Sequence, residues 1–509
     1  MIGHLLLTIS IGLSALTKGG DYNIKNFGAV GDGKTINTQK IQAVIDKASA
    51  EGGGRVIVPE GRFLIGTLTL KSGVELHLQS GAVLLGSTNP YDYPFTRAIL
   101  DKDPSLNEYV GGLIEGKGQK DIAITGSGTL NGQGRQMALR LDSLFYAGVL
   151  DSAYYNLRRK RPERRPGNIK FVNCENVKVT GITIKDAPGW VQTYDRCKRL
   201  LIDHIRVESD AYWNNDGIDV VDCSDVKITN SFVNAADDGI CLKSEHQGVY
   251  NENILVANCT VRSSASAVKF GTASVGGFRN IIIRNIRVFD TFRSAIALES
   301  VDGGFLENVL VDSITAKNTG NAIFIKLGHR NTDDRMSTLK NVLIKNVYVE
   351  VPMGRPDLNY DLRGPALDFF HNIFPSSITG LPGHPVQNVR IENVTISYPG
   401  RGNDGLAVLP LWRLQDVPEA ADHYPEFSMF GELPAWGFYV RHVEGLQMKN
   451  VTVIARDPDY RPAYVFDDVK NLEGENNTVK EADNGSQFVF KNAAAENWKS
   501  SEVKKQIIR

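Results

Sequence analysis

The sequence is poor in cysteine, in histidine and in net charge. It holds five cysteines and nine histidines in 509 residues, with no Cys-x-x-Cys pair and no histidine cluster. That excludes the common zinc modules, whose ligands come in such groups, and no metal or other cofactor is expected. A formal net charge of −1 supplies no basic field to collect the chain on nucleic acid or an anionic membrane. No stretch reaches about 18 apolar residues, so no membrane span is expected. The one apolar run near the start, Leu5 to Leu16, has the length of a signal-peptide core. Residues 1–18 therefore read as a secretory signal without a basic n-region, with Ser14 and Ala15 near the cleavage point, and the protein is expected to be secreted or periplasmic. An odd number of cysteines in an exported chain leaves at least one unpaired.

What the sequence has is glycine (49 residues), 42% apolar residues and a repeat. The segments ENVKVTGITI, KRLLIDHIRV, SDVKITNSFV, ENILVANCTV, RNIIIRNIRV, ENVLVDSITA, KNVLIKNVYV, QNVRIENVTI and GLQMKNVTV share one grammar. A polar residue precedes an apolar one; alternating apolar positions follow, then a small or polar residue at a bend, then a second short β-rich run. Period-two alternation and β-branched content make each run a strand. Anchoring each on its first apolar residue gives Val177, Leu200, Val226, Ile254, Ile281, Val309, Val342, Val389 and Leu446, with successive gaps of 23, 26, 28, 27, 28, 33, 47 and 57. The early gaps fit one coil of a parallel β-helix, whose rungs bury their inward faces only by stacking. A leucine-rich horseshoe would need its leucine spacing and helical half; a propeller would need four strands per unit.

The repeat gives bland roles to several residues. Cys174, Cys197 and Cys223 each stand three positions before an anchor, which suits small apolar residues stacked within successive rungs rather than disulfides. Asn176, Asn253, Asn280, Asn308, Asn341 and Asn388 directly precede anchors and are expected in turns, bonding local backbone. The stretch GAVGDGKT, Gly28 to Thr35, fits the phosphate-binding pattern G-x-x-x-x-G-K-T. A phosphate cradle needs its helix to start at the Lys-Thr, but Asn37 or Thr38 is the better N-cap here. The helix from about Asn37 to Glu51 carries Ile41, Val44, Ile45 and Ala48 on one face and reads as a cap on the first coil. No nucleotide partner is expected.

The chemistry is concentrated in WNNDGIDVVDCSDVKITNSFVNAADDGICLK, Trp213 to Lys243. Asp216 lies in NNDG; Asp237 and Asp238 lie in AADDG. Asp216 and Asp237 are 21 residues apart, about one coil, which would put them on one face, one above the other. Three clustered acids repel and cost stability unless hydrogen bonds or function compensate. Inverting hydrolysis of a glycosidic bond needs a protonated carboxyl and a carboxylate roughly 6.5–9.5 Å apart. Diagonal neighbours on rungs about 4.8 Å apart can meet that distance.

At these residues the chain resembles glycoside hydrolase family 28, the polygalacturonase family. NNDG at Asn214 to Gly217 matches the family's Asn-Thr-Asp-Gly, and DDG at Asp237 to Gly239 matches its Asp-Asp. NFGAVGDGKTINTQKIQAVIDKA, GGGRVIVPEGRFLIGTLTLKSGVELHL and GNIKFVNCENVKVTGITIKDAPGW also look like the family, and the likeness covers roughly 26–346. The resemblance implies an all-β, single-domain, right-handed parallel β-helix with an N-terminal capping helix, acting by inversion. It implies Asp237 as general acid, and Asp216 with Asp238 as the pair that positions and deprotonates water. Asn214 matches the residue that opens the first motif.

The chain departs from the family at two motifs. Where Gly-His-Gly should fall it reads SASAVKFGT, with Ser266 in the place of the His. Where Arg-Ile-Lys should fall it reads RSAIALES. Those basic residues hold galacturonate carboxylates in polygalacturonases, so the acids survive better than the substrate. Replacement ligands are sought along one column. Asp238, Ser266, Arg293 and Asn321 each stand 12 residues after an anchor. Lys243, Lys269, Glu299, Lys326, His329 and Arg330 lie nearby. Lys243, Ser266, Lys269, Arg293 and Arg330 are taken as substrate-binding, the basic ones facing an acidic sugar. Tyr212 and Trp213 could pack on sugar rings. The basic run Arg158 to Gly167 reads as a solvated loop that could draw an acidic polysaccharide.

The expected organisation is a β-helix domain over 19–485, with capped first coils at 19–110, long inserted loops at 350–445 and a polar tail at 486–509. The insertions Gly354 to His384 and Tyr398 to Arg441 carry Phe369, Phe370, His371, Phe374, Trp412, Tyr424 and Trp436. They are expected to wall one end of the cleft and favour release of terminal sugars. The expected partner is a pectin-like polysaccharide or oligosaccharide, and the protein is expected to be a monomer. A Ca²⁺-dependent lyase and a non-catalytic sugar-binding β-helix are the alternatives.

Overall fold

The computed structural model describes residues 19–93, 111–157, 161–162, 165–210, 212–357, 374–402, 409–481, 487–499 and 505–508. The expected signal segment 1–18, most of the basic run at 158–167, and Phe369, Phe370 and His371 lie outside them. Among the described residues no helix is long and apolar enough to cross a membrane. The described chain divides into two compact units, 19–241 and 242 onward.

In the first unit three columns of short parallel strands run through successive coils. One contains Gly54–Val58, Val74–Leu78, Lys120–Gly126, Glu175–Thr180, Lys198–Asp203 and Ser224–Thr229. A second contains Gly61–Ile65, Ala82–Gly86, Thr129–Asn131, Thr183–Lys185, Arg206–Ser209 and Phe232–Ala235. The third contains Leu68–Thr69, Gly112–Lys117, Gly167–Val172, Gln192–Asp195 and Ile218–Val221. Three parallel sheets traversed coil by coil make a parallel β-helix. The period-two pattern decides which residues fill it: Val177 and Val179 are fully buried while Lys178 is half-buried. Each such inward Val or Ile contributes about 1.5–3 kcal/mol of burial. The second unit repeats the plan with longer strands, among them Gly277–Ser300, Phe305–Leu327, Thr338–Glu350 and Val386–Tyr398, all paired in parallel.

The sequence anchors are register partners. Val177 pairs with Leu200 and Leu200 with Val226. Ile254, Ile281, Val309, Val342, Val389 and Leu446 likewise form one continuous line. The wide late gaps leave that register intact. The asparagines before the anchors occupy left-handed turns, with φ of 54–59° at Asn176, Asn253, Asn280, Asn308, Asn341 and Asn388. From Asn253 to Asn388 the side chains depart from the expected backbone bonding and stack on one another: Asn308 donates to Asn280 at 3.1 Å, Asn341 to Asn308 at 3.1 Å and Asn388 to Asn341 at 3.2 Å, whereas Asn176 donates to Asp121 at 2.7 Å. Asn308→Ala should therefore destabilise by about 1–3 kcal/mol, combining the left-handed penalty with two lost ladder bonds. Asn308→Gly should cost less, because it relieves the first term. Chemical denaturation of the two variants separates the contributions.

The capping helix spans Thr38–Ala50 and buries Ile41, Val44, Ile45 and Ala48 completely. Asn37 precedes it, but its side chain bonds Val30 and Thr35 rather than the helix amides. Lys34 and Thr35 lie in the strand Asp32–Ile36, ahead of the helix. Their amides, which a phosphate cradle would present outward, both donate to Asp32 Oδ1 at 2.8 Å, and the Thr35 hydroxyl donates to Oδ2. Those bonds draw the Asp32 carboxyl down to about 2.

The C-terminal stretch, expected as a polar tail, adds strands. Phe488–Ala493 pairs with Tyr464–Glu475, and Lys505–Ile508 pairs with Phe488–Ala493. Phe438, Tyr464 and Phe488 stack in line up this end, and Trp498 lies against Gly474, where a Cβ would meet its ring at 2.3 Å. The first insertion also holds a regular rung strand, Ser376–Thr379, paired on both sides. All five cysteines are buried thiols, and Cys197 donates its amide to Cys223 Sγ at 3.2 Å, as adjacent-rung stacking requires.

Candidate active site

The segment Trp213–Gly217 enters the strand Ile218–Val221, and Ala236–Gly239 turns into the strand that begins at Ile240. Two backbone bonds set the register between them: Gly217 N–H to Asp238 C=O at 2.8 Å and Ile218 N–H to Gly239 C=O at 3.0 Å. Asp216 consequently opposes Asp238, not Asp237, and the expected 21-residue stacking is shifted by one. Asp216 and Asp238 are buried and lie with Cys241 in one group, a ligand atom from each within 4.8 Å of the others. Two carboxylates and a thiol at that spacing are the grouping, among the described residues, that could hold a cation. Cys241 is a site neighbour that sequence reasoning left unplaced; its signal was its position two residues beyond the DDG turn.

Asp237 is half-buried and outside that group. Its Oδ1 accepts the Asp238 amide at 3.1 Å and its Oδ2 accepts Asn214 Nδ2 at 3.1 Å. Asn214 reaches it from a left-handed turn, φ 55°. The second asparagine of NNDG, Asn215, is fully buried and structural. Its Oδ1 accepts the Ser209 hydroxyl and the Tyr212 amide, each at 3.1 Å, and its Nδ2 donates to Ala187 and Gly189 carbonyls, each at 2.8 Å. All four bonds stay within the unit, so Asn215 fixes the loop that carries Asn214 and Asp216. Asp216 C=O accepts the Val191 amide at 2.9 Å, tying the motif to the preceding coil. Tyr212 is buried and donates its hydroxyl to Asp142 at 2.6 Å, which accounts for it as packing.

Lys243, Ser266, Lys269, Arg293 and Arg330 belong to the second unit. All are buried except Arg330, which is half-buried. Ser266 faces the turn at Arg293, since Arg293 N–H donates to Ala265 C=O and Ala267 N–H to Ser294 C=O. The expected column breaks one coil later. A register shift between Thr291 and Ser294 sets Asn321 opposite Ser294, and Asn321 is fully buried on the Ser294 hydroxyl and the Pro375 carbonyl.

The second insertion supplies what lies over these cations. Leu414, Val417, Ala420, Phe427, Phe430, Leu433 and Ala435 pack on the outer face of the sheet, against Ala297, Phe324, Tyr439, Val465 and Val489. The insertion's polar groups then meet the basic residues. Arg293 pairs with Glu426 at 2.7 Å, Lys269 donates to the Tyr424 hydroxyl at 3.2 Å, and Lys326 donates to the Glu419 carbonyl at 2.7 Å. Arg330 forms a two-pronged pair with Asp302 at 2.8 and 2.9 Å. Burial pushes the Lys326 ammonium down to about 8.

Glu419 also bonds Arg441 at 2.9 Å and His442 Nε2 at 3.1 Å, while His442 Nδ1 faces Asp468 at 2.7 Å. Burial disfavours the imidazolium, but Glu419 and Asp468 outweigh it and Arg441 together, and His442 is held above its ordinary value. A raised His contributes stability that is complete below its unfolded value and fades as pH rises through the folded one. Proteolysis within 409–436 should accordingly speed up as pH rises from about 6 to about 8.5, and His442→Gln should flatten that dependence. Equal cleavage at both pH values in the wild type would contradict a stabilising role for the His442 contacts with Glu419 and Asp468.

The family described as "Glycosyl hydrolases family 28" matches residues 50–354. A Vitis vinifera protein named "Probable polygalacturonase" is 24% identical over 402 residues, covering 74% of each chain. An exo-poly-α-D-galacturonosidase of Dickeya chrysanthemi is 22% identical over 428 residues, covering 73% of this chain and 71% of its own. Among solved structures, a hyperthermoactive exopolygalacturonase from Thermotoga maritima superposes with a TM-score of 0.57 at 25% identity, over 74% of this chain and 87% of its own.

Proposed function

The chain belongs to glycosyl hydrolase family 28, and from that premise we propose that it cleaves glycosidic bonds of a uronate-containing, pectin-like polysaccharide or oligosaccharide with inversion. Asp237 is the acid that protonates the leaving oxygen. Asp216 and Asp238 are the pair that holds and deprotonates the attacking water. The observation that carries this reading is the register that sets Asp216 against Asp238, with Asp237 held apart by Asn214. Two carboxylates within 4.8 Å can grip one water between them, and a separate carboxyl is free to serve the sugar oxygen.

Recognition of the acidic sugar is assigned to Lys243, Ser266, Lys269, Arg293 and Arg330. Lys269→Met should raise KM on a uronate substrate about tenfold with little change in kcat, the loss of one charge-assisted bond. Release of terminal sugars is supported by the insertion seated over Lys269, Arg293 and Lys326, and by two of the relatives being exo-acting by name. Export rests on the apolar run at Leu5 to Leu16.

The test is a panel of pectic fragments, branched and rhamnose-containing ones included, with products read by mass and the first-formed anomer by NMR. Inverted single sugars from chain ends support the proposal. A retained anomer removes the mechanism, and random internal cuts remove the terminal action. An unsaturated product absorbing in the near ultraviolet makes the protein a lyase, and binding without turnover makes it a sugar-binding β-helix.

A further inference from the structure

Arg165 lies in the run first read as a solvated basic loop, yet it is turned inward. Its Nη1 donates to the Trp213 carbonyl at 2.7 Å and its Nη2 to Asn214 Oδ1 at 3.3 Å. Its guanidinium stands 5.1 Å from the centre of the Tyr212 ring. Tyr212 is in turn held by the bond from its hydroxyl to Asp142, on the helix Gly134–Tyr146. A chain of contacts therefore runs from that helix through Tyr212 and Arg165 to Asn214, and from Asn214 Nδ2 to Asp237 Oδ2 at 3.1 Å.

An amide side chain has an accepting end and a donating end, and Arg can only donate. With the guanidinium on Oδ1, the Asn214 amide must turn its NH₂ to Asp237. The reversed amide would set donor against donor at Arg165. It would also offer an acceptor to Asp237, which only the protonated acid could use. We propose that Arg165 is a positioning residue for the hydrolysis: it locks the Asn214 amide so that Asp237 receives a hydrogen bond at Oδ2. With Oδ2 held there and Oδ1 on the Asp238 amide, the carboxyl is fixed in one orientation towards the leaving oxygen. The inference rests on Asp237 being the general acid. It gives the basic run Arg158–Gly167 a member whose task is orientation rather than attraction of substrate.

The test is kcat and KM for wild type, Arg165→Met, Arg165→Lys and Asn214→Ala on the best pectic fragment, with melting temperatures alongside. Loss of Arg165 frees the amide to turn, and loss of the amide removes the bond to Oδ2. Either change leaves the Asp237 carboxyl loosely held, so kcat should fall about tenfold in Arg165→Met and in Asn214→Ala with KM little changed. Arg165→Lys, which keeps a cation and a donor, should bring kcat back towards wild type, and adding Arg165→Met to Asn214→Ala should lower it no further. An unchanged kcat in folded Arg165→Met overturns the proposal. So does an unchanged kcat in Asn214→Ala, even where the arginine variant fails to fold. If wild type turns over no fragment, or Asp237→Asn keeps wild-type rate, the underlying reading fails instead.

Discussion

Asp237→Asn should lower kcat on a pectic substrate by about 10²–10⁴-fold while leaving the protein folded. The stability side follows from its surroundings. Asp237 is half-buried, and the asparagine carbonyl can still accept the Asp238 amide as Oδ1 does now. The new NH₂ then meets Asn214 Nδ2, donor against donor, where Oδ2 accepts at present. That mismatch should cost about 1 kcal/mol, far too little to explain the loss of rate. The catalytic side separates the three acids. A substrate whose leaving group departs without a proton, such as an aryl glycoside, should restore most of the rate to Asp237→Asn. Asp216→Asn and Asp238→Asn should stay slow on both substrates, because water must still be activated. Equal rescue of all three variants would remove the division of roles, and no rescue of Asp237→Asn would take the acid's role from it.

The division was only partly readable beforehand. Coil length and strand identity followed from alternating Val and Ile, because inward residues of a stacked rung have nowhere else to go; hence Val309 pairs with both Ile281 and Val342 as its position in the repeat implies. The capping helix was legible for the same reason, with Ile41, Val44, Ile45 and Ala48 on one stripe. Side-chain partners were not legible. The turn asparagines were expected on backbone, but stacking at the rung spacing sets each amide beside its copy one coil away. A column drawn by equal offsets from anchors took each coil's bend to be the same. One irregular residue near Arg293 moves Asn321 to another partner. Arg165 was hidden by its neighbours: in a run of like charges, nothing local distinguishes a member that turns inward. The partners of Lys269, Arg293 and Lys326 lie more than ninety residues away in an insertion without a repeat, so no periodicity could announce them.

Gly217→Ala should lower kcat/KM by about 10²-fold or more and cost about 1–3 kcal/mol of stability, although the side chain it adds is one methyl. A Cβ at Gly217 would come within 2.4 Å of Val233 Cγ1 and 2.6 Å of the Gly239 carbonyl oxygen. The first neighbour is a core side chain, and the second is backbone of the DDG turn. Relief requires Gly217 and Gly239 to separate, and that separation strains the bonds from Gly217 N–H to Asp238 C=O and from Ile218 N–H to Gly239 C=O. Those bonds hold Asp216 opposite Asp238. Gln192 grips the Gly217 carbonyl at 3.1 Å from the other side and limits how far the strand can retreat. The glycine of the first acid motif is therefore needed for the distance between rungs, not for a turn. Gly354→Ala, where a Cβ meets nothing within 4 Å, should change neither rate nor melting temperature. If Gly217→Ala keeps full activity, the two carboxylates do not depend on this register, and the assignment of Asp216 and Asp238 as a water-holding pair loses its structural ground.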